Sequence, residues 1–358
     1  MNDEYHSSRS PKFFKSGYLA RSLASGMFRG KTSTADTVNF SQSALFTDSM
    51  DQRTRRFFVD CCGMRIIETA KFVLIILVMI TAACDGARVE PEGPLVRTLT
   101  DDLGRSVKLP LRVARIVSLA PSVTEMIFAA GAGDRLVGVT TYCNYPEAAK
   151  AIEKVGDTQT PNIERIIALK PDVVFVSTAS QLEAFMQTLE QQNIAVYVTD
   201  PNGIDGVAEN LGTFGRLFGT ETTADRLAGE LKQRATAVNE QVKARLRPKV
   251  FVQISNEPLF TIGKEAFVTA LVERAGGESV SRDVPTAFPK LSKETASAMS
   301  PEVIILSDSE DNLEPNEVFR NSPAVKNGRV YRINADIISR PGPRLVDALE
   351  QIAGFLHQ

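Results

Sequence analysis

One stretch limits the chain more than any other. From Thr222 to Arg247 the apolar residues fall at Ala224, Leu227, Leu231, Ala235, Val238, Val242 and Leu246. Spacings of three and four put one narrow stripe on an α-helix. Nothing inside the stretch breaks the pattern, and Pro248 ends it. At about 1.5 Å per residue such a helix is roughly 38 Å long, the width of a small domain. It can act as a stiff strut with α/β material on either side. The plain alternative is a long surface helix of one domain.

The flanks favour the strut. Arg97–Leu109 alternates around Asp102-Leu103-Gly104-Arg105 and predicts a β-hairpin. A buried strand follows in residues 114–121, and Ser122 with Glu125 has the spacing of a capping box ahead of a helix that Gly131 stops. Strands over Leu136–Val139, Pro171–Val176 and Ala195–Val198 alternate with helices over Ile163–Leu169 and Gln181–Gln192. That alternation predicts a parallel, doubly wound sheet. After Pro248 the pattern starts again: a strand from Lys249 to Ile254, a helix from Ala266 to Ala275 closed by Gly276-Gly277, and a short helix from Lys293. A strand from Pro301 to Leu306 follows, then a turn at Asn327-Gly328 into Val330–Ile333. A last helix carries Leu345, Leu349, Ile352 and Leu356 on one face.

The halves share a finer signature. Asn162-Ile163-Glu164 is followed by Pro171 seven residues after the glutamate, and Ser292-Lys293-Glu294 is followed by Pro301 at the same distance. Each glutamate lies two residues after a good N-cap type, and each proline opens a buried strand. Cap, acid, proline and strand repeating together point to a duplicated lobe.

The amino end is different. Residues 1–63 are rich in Ser, Thr, Arg and Asp with few periodic apolar positions, and read as disordered or as an extension that is not in the working protein. Met64 opens another pattern: Arg65 and Lys71, a twelve-residue apolar run from Phe72 to Ala83, then Cys84. The run is short of the ~20 residues of a membrane span and suits a signal-peptide core. Small residues running into Cys84 resemble a lipoprotein signal with its lipidated cysteine. An uncleaved anchor and a buried core helix are the other readings. Cleavage before Cys84 would leave only Cys84 and Cys143, so no disulfide framework is expected. The expected layout is an extension over 1–63, a signal over 64–83, a lipidated tether over 84–96, an N-terminal α/β lobe over 97–203, a helical linker over 204–248 and a C-terminal α/β lobe over 249–358.

Composition narrows the function. A net charge near −2 gives no basic excess for nucleic acid. The two histidines, His6 and His357, stand at opposite ends, so neither a multi-histidine metal site nor a Ser-His-Asp set is available. GxSxG and Walker motifs are absent, and Gly131-Ala132-Gly133 is no dinucleotide fingerprint. The chain is expected to be no enzyme, with no catalytic residues and no catalytic cofactor.

Several strings occur in an order that carries a resemblance: RIVSLAPSVTEMIFAAG (115–131), VGVTTYCNYP (137–146), NIERIIALKPDVVFV (162–176), PLFTIGKE (258–265) and SRPGPR (339–344). Over residues 97–358 the chain resembles the periplasmic cobalamin-binding proteins of ABC importers, within the wider iron-siderophore/cobalamin receptor family. The resemblance implies a class III solute-binding protein: two Rossmann-like lobes bridged by one long α-helix, with ligand held in the cleft between them. It implies ligand contacts at Tyr142, Phe260 and Phe288, with Asp336 and Arg340 at the polar end. It also implies permease docking through Glu164 and Glu294, one per lobe. Thr158, Ser177 and Phe288 stand where close relatives carry Trp, which this chain lacks altogether. The expected ligand is cobalamin or a related corrinoid, and the runner-up a ferric siderophore or haem, for which Tyr142 could supply an axial ligand. Expected partners are an ABC permease dimer with its ATPase subunits, and a membrane reached through lipidated Cys84. Asp85 resembles the signal that retains such lipoproteins at the inner membrane. The protein itself is expected to be a periplasmic monomer. Arg344 brackets Pro341-Gly342-Pro343 with Arg340, and Cys143 reads as a small buried hydrophobe.

Overall fold

The computed structural model describes residues 95–178 and 183–358. The expected extension over 1–63, the signal over 64–83, Cys84, the tether to residue 94 and the first residues of the helix expected from Gln181 lie outside the described residues. Strands β1 (Val96–Thr100) and β2 (Ser106–Pro110) form the expected antiparallel hairpin, Val96 opposite Pro110. The Asp101 carboxylate closes its turn by accepting the backbone N–H groups of Leu103 and Arg105, at 3.1 and 2.8 Å. Next come β3 (Ile116–Ser118), α1 (Pro121–Ala129), β4 (Leu136–Val139), α2 (Ile163–Ala168), β5 (Val173–Ser177), α3 (Glu183–Gln191) and β6 (Ala195–Thr199). Helices α4 (Gly203–Phe218) and α5 (Glu221–Val242) lead into the second lobe. That lobe holds β7 (Lys249–Ser255), β8 (Phe260–Thr261), α6 (Phe267–Arg274), β9 (Glu278–Ser279), α7 (Lys293–Ala298), β10 (Val303–Asp308), α8 (Pro323–Lys326), β11 (Val330–Asn334), α9 (Ala335–Ser339) and α10 (Leu345–Leu356).

The first sheet is parallel in the order β4-β3-β5-β6. In the second, β9, β7, β10 and β11 lie parallel in the matching order, and β8 adds antiparallel to the end of β7. Counting only the parallel strands of each lobe, both sheets run second, first, third, fourth.

The repeat reaches individual hydrogen bonds. Asn162 and Ser292 cap α2 and α7 by accepting the N–H groups of Arg165 and Thr295, at 2.8 and 3.1 Å. Lys170 and Ser300, each just before the proline, take the left-handed conformation, with φ of 47° and 44°. The acid after each proline then holds the start of the neighbouring strand. Asp172 accepts the N–H groups of Ala114 and Arg115 at 2.7 and 2.9 Å, and Glu302 that of Lys249 at 2.8 Å.

Alternation along the central strands divides the core. Val173 and Phe175 of β5 face one buried cluster and Val174 and Val176 another. Val303 and Ile305 of β10 join the first cluster, whereas Ile304 and Leu306 face a third. The inner faces of both sheets thus share one core with α1, α4, α5, α6 and α10, and the outer faces are covered by α2 and α3 or by α7 and α8.

Helix α5 buries Ala224, Leu231, Ala235, Val238 and Val242, as the stripe requires. It also packs closely on α4, where Gly215 leaves so little room that a Cβ would stand 2.7 Å from the Ala224 methyl. Its 22 residues make it about 33 Å long. The helix ends at Val242, five residues before the expected Arg247, and Leu246 is 92% exposed. The reason is tertiary. Gly276 backs onto Val242, and the Arg247 guanidinium donates to the carbonyls of Glu273 and Gly277 at 3.0 and 2.7 Å, turning the chain across the end of α6. The capping box expected at Ser122 and Glu125 is not formed. Ala120 is the N-cap residue, no side chain caps the helix, and Pro121 opens it. Glu125 serves a different purpose.

Candidate ligand site between the lobes

The site is built where strands end. The loop after β4 is anchored by Cys143, 1% exposed, whose sulfur lies 3.2 Å from the hydroxyls of both Thr124 and Thr140. With its sulfur buried, Cys143 behaves as the expected small hydrophobe and turns its neighbours outward: Tyr142 is 57% exposed, and Asn144 is exposed as well. From the other lobe, α9 begins directly after β11. Asn334 caps it by accepting the Asp336 N–H at 2.8 Å, and Asp336 and Arg340 lie one turn apart, paired at 2.6 Å.

These two sides meet. Arg340 Nη1 donates to Asn144 Oδ1 at 2.8 Å and approaches Glu125 Oε1 at 3.3 Å, while Nη2 points at the Tyr142 carbonyl at 3.4 Å. Asn144 Nδ2 donates to Asp336 Oδ2 at 2.8 Å. Beyond the Pro341-Gly342-Pro343 turn, Arg344 grips Glu125 with two hydrogen bonds, Nε to Oε2 at 2.8 Å and Nη2 to Oε1 at 2.6 Å. Its guanidinium lies over the Tyr145 ring, 4.2 Å from the centroid. Glu125 is only 3% exposed, so its carboxylate is compensated by two arginines from the opposite lobe. The same carboxylate holds the Arg344 pKa above its ordinary value through the hydrogen bonds between them, against the opposing effect of burial.

The phenylalanines form a second group. Phe260 of β8 bridges Lys290, and the Thr261 and Leu291 N–H groups bond the carbonyls of Pro289 and Leu259 at 3.2 and 3.0 Å. This brings Phe260, half-buried, beside the segment that carries Phe288, which is 45% exposed. Tyr142, Asp336 and Arg340 are thus gathered in one cluster, and Phe260 and Phe288 on neighbouring segments of the second lobe. The sequence marks Glu125 only as a helix cap and does not mark Asn144 or Tyr145. The available signal was an acid inside an otherwise apolar helix, opposite two arginines four residues apart with no counter-charge assigned.

Glu164 and Glu294 are both exposed, each in the first turn of its short helix. The Glu294 carboxyl is held below its ordinary pKa, first by its own backbone N–H and then by the Ser292 hydroxyl. Thr158 and Ser177 are half-buried. Among the described residues no group of three His, Cys, Asp or Glu side chains is arranged to hold a metal ion.

Residues 116–337 match the family described as Periplasmic binding protein. The chain is 31% identical over 251 residues to the vitamin B12-binding protein of Vibrio cholerae, covering 69% of this chain and 90% of that relative. The crystal structure of the periplasmic vitamin B12 binding protein of Vibrio cholerae superposes with a TM-score of 0.62 at 30% identity, over 68% of this chain and 96% of that one. The apo periplasmic heme-binding protein of Roseiflexus sp. RS-1 shares the fold, with a TM-score of 0.61 at 23% identity, covering 68% and 98%. The chain belongs to the periplasmic binding protein family. It has the class III fold of that family, two Rossmann-like lobes bridged by one long helix, and is a non-enzymatic, periplasmic substrate-binding component of transport. Members of the family serve ABC importers, working with a permease and its ATPase.

Proposed function

We propose that this protein captures cobalamin or a related corrinoid between its lobes and delivers it to an ABC permease. The observation that carries this reading is that each lobe leaves a large aromatic side chain open to solvent, Tyr142 on one and Phe288 on the other. A corrin ring has wide apolar faces fringed by amide arms, and aromatic walls with a few placed polar groups suit it. Phe260 adds to the wall, and Asp336 and Arg340 supply the polar end. The vitamin B12-binding relatives at 30–31% identity support the same choice. Haem or a ferric siderophore is the second reading, favoured by the exposed Tyr142 phenol, a group able to ligate iron. Titration calorimetry with cyanocobalamin, cobinamide, haemin and a ferric siderophore decides between them. Corrinoid binding at one per monomer is expected, weakened by about 1–3 kcal/mol in Phe288→Ala. Binding of haemin or the siderophore alone would move the assignment to the second reading.

Docking belongs to the same proposal. Glu164 and Glu294 occupy equivalent places in the two repeats, as contact with a two-fold permease requires. Replacing both with Lys should abolish ligand-stimulated ATPase activity in proteoliposomes, while the affinity of the free protein stays within about threefold, or 0.7 kcal/mol. Lobes over 97–203 and 249–358, joined through 204–248, are its working parts. Cleavage before Cys84, with lipidation there, would hold the monomer at the inner membrane. Recovery of residues 1–63 by peptide mapping of the native protein would contradict that processing.

A further inference from the structure

Four arginines line a pocket far from the ligand site. Arg97, Arg112, Arg135 and Arg216 surround a space of about 240 Å³, floored by Val113 and the last residues of α4. No carboxylate lines it, and among the described residues none of the four guanidinium groups is in an ion pair. Three of them have structural duties, and Arg216 donates Nη2 to the Thr213 hydroxyl one turn back along α4 at 3.1 Å. Arg97 donates Nη1 to the Arg216 carbonyl at 3.0 Å and Nη2 to that of Leu217, which offsets the negative end of the α4 dipole. Arg135 donates to the Val113 carbonyl at 3.0 Å and lies 5.8 Å from the Phe218 ring centroid. None of these hydrogen bonds removes positive charge, and Arg97 Nε stays buried with no partner. Arg112 is exposed and, among the described residues, makes no hydrogen bond at all.

The rim of this pocket is apolar. Leu111, which lines it, is 52% exposed, and its N–H bonds the carbonyl of Leu95 at 2.9 Å, so Leu95, 67% exposed, adjoins it at the open end of the hairpin. Guanidinium groups recognise phosphate oxygens by paired, charge-assisted hydrogen bonds, and leucines beside them suit the boundary between headgroups and acyl chains. Eleven residues, 84–94, separate Leu95 from the apolar run Phe72–Ala83, a reach of at most about 40 Å.

We propose that the four-arginine pocket and its leucine rim seat the phosphate of an anionic membrane lipid. Val113 and Arg135 precede β3 and β4, whereas Tyr142 follows β4. The seat is therefore at the opposite end of the strands from the ligand site, and a protein resting on it turns that site away from the bilayer.

The chain contains no Trp, so Leu111→Trp in the full chain gives a single reporter on the rim, blind to insertion of the apolar run elsewhere. Fluorescence is read with vesicles of brominated phosphatidylglycerol or brominated phosphatidylcholine. A blue shift and quenching are expected with phosphatidylglycerol only, fading as salt is raised, and Arg112→Glu should weaken the apparent affinity about tenfold. That second change lies at an exposed side chain without partners, so folding is not at stake. Equal quenching by both lipids, quenching by neither, or indifference to Arg112→Glu would overturn the proposal. Release from the vesicles by millimolar inorganic phosphate would overturn the lipid assignment in favour of a free oxyanion.

Discussion

Glu125 and Arg340 meet, with Arg344, in one charged cluster between the lobes. The Arg340 guanidinium is met by Glu125, Asp336, Asn144 and the Tyr142 carbonyl. Glu125, expected as a capping residue, is the buried charge on which both arginines converge. Removing one partner of a buried pair leaves the other uncompensated, so Glu125→Gln should lower stability by about 3–5 kcal/mol in urea unfolding. A midpoint unchanged from the parent would mean that the cluster adds nothing. Tyr197 offers a test by pH. Its ring is buried and its hydroxyl donates to the Thr100 carbonyl at 3.1 Å. Burial, aided by the Asp102 charge, pushes its pKa from 10.0 up to about 12. A raised pKa on a group that is neutral when protonated means that its stabilisation is complete below pH 10. It is then lost as pH rises through about 12, at most about 2–3 kcal/mol. Unfolding measured from pH 9 to pH 12 should show that loss in the parent, and Tyr197→Phe should flatten it.

Elements were read from the sequence with uneven success, and the physics explains which. The α5 stripe was legible because one face is buried along its whole observed length, so period alone defines it. Its end was not, because Gly276 and Arg247 stop it through contacts with α6 that no local pattern encodes. The buried strands were legible from hydrophobic runs, since β5 and β10 are covered on both faces. Side chains that meet between the lobes were legible where a motif marks them, as in the run from Asp336 to Arg344. Glu125 was not, because Ser122 and Glu125 imitate a cap that Pro121 and Ala120 make unnecessary. Within α5, area should outweigh charge. Leu231→Ala deletes a side chain 3% exposed and should cost about 2–5 kcal/mol. Arg234→Ala removes contacts of 2.8 and 2.6 Å to Glu350 and 2.7 Å to Asp347, but these side chains are 41% exposed, so the loss should stay under about 1 kcal/mol. The reverse order in thermal denaturation would contradict this ranking.

At the scale of the whole molecule, two lobes with the same strand order face each other across helices that belong to both. Fold class was legible from the repeating strand–helix pattern. The depth of the repeat was not, because the left-handed turns at Lys170 and Ser300 and the carboxylates of Asp172 and Glu302 act through geometry rather than composition. One feature of this arrangement reaches beyond ligand capture. The inner faces of both sheets drain into a single buried cluster through α1, α4, α5, α6 and α10. Melting one lobe would strip α5 and expose apolar surface on the other, which couples the unfolding of the two. Calorimetry of the free protein should accordingly record one endotherm, with calorimetric and van't Hoff enthalpies in agreement. Two resolved endotherms would contradict the shared core. A protein that binds between two bodies is thus expected to melt as a single cooperative unit.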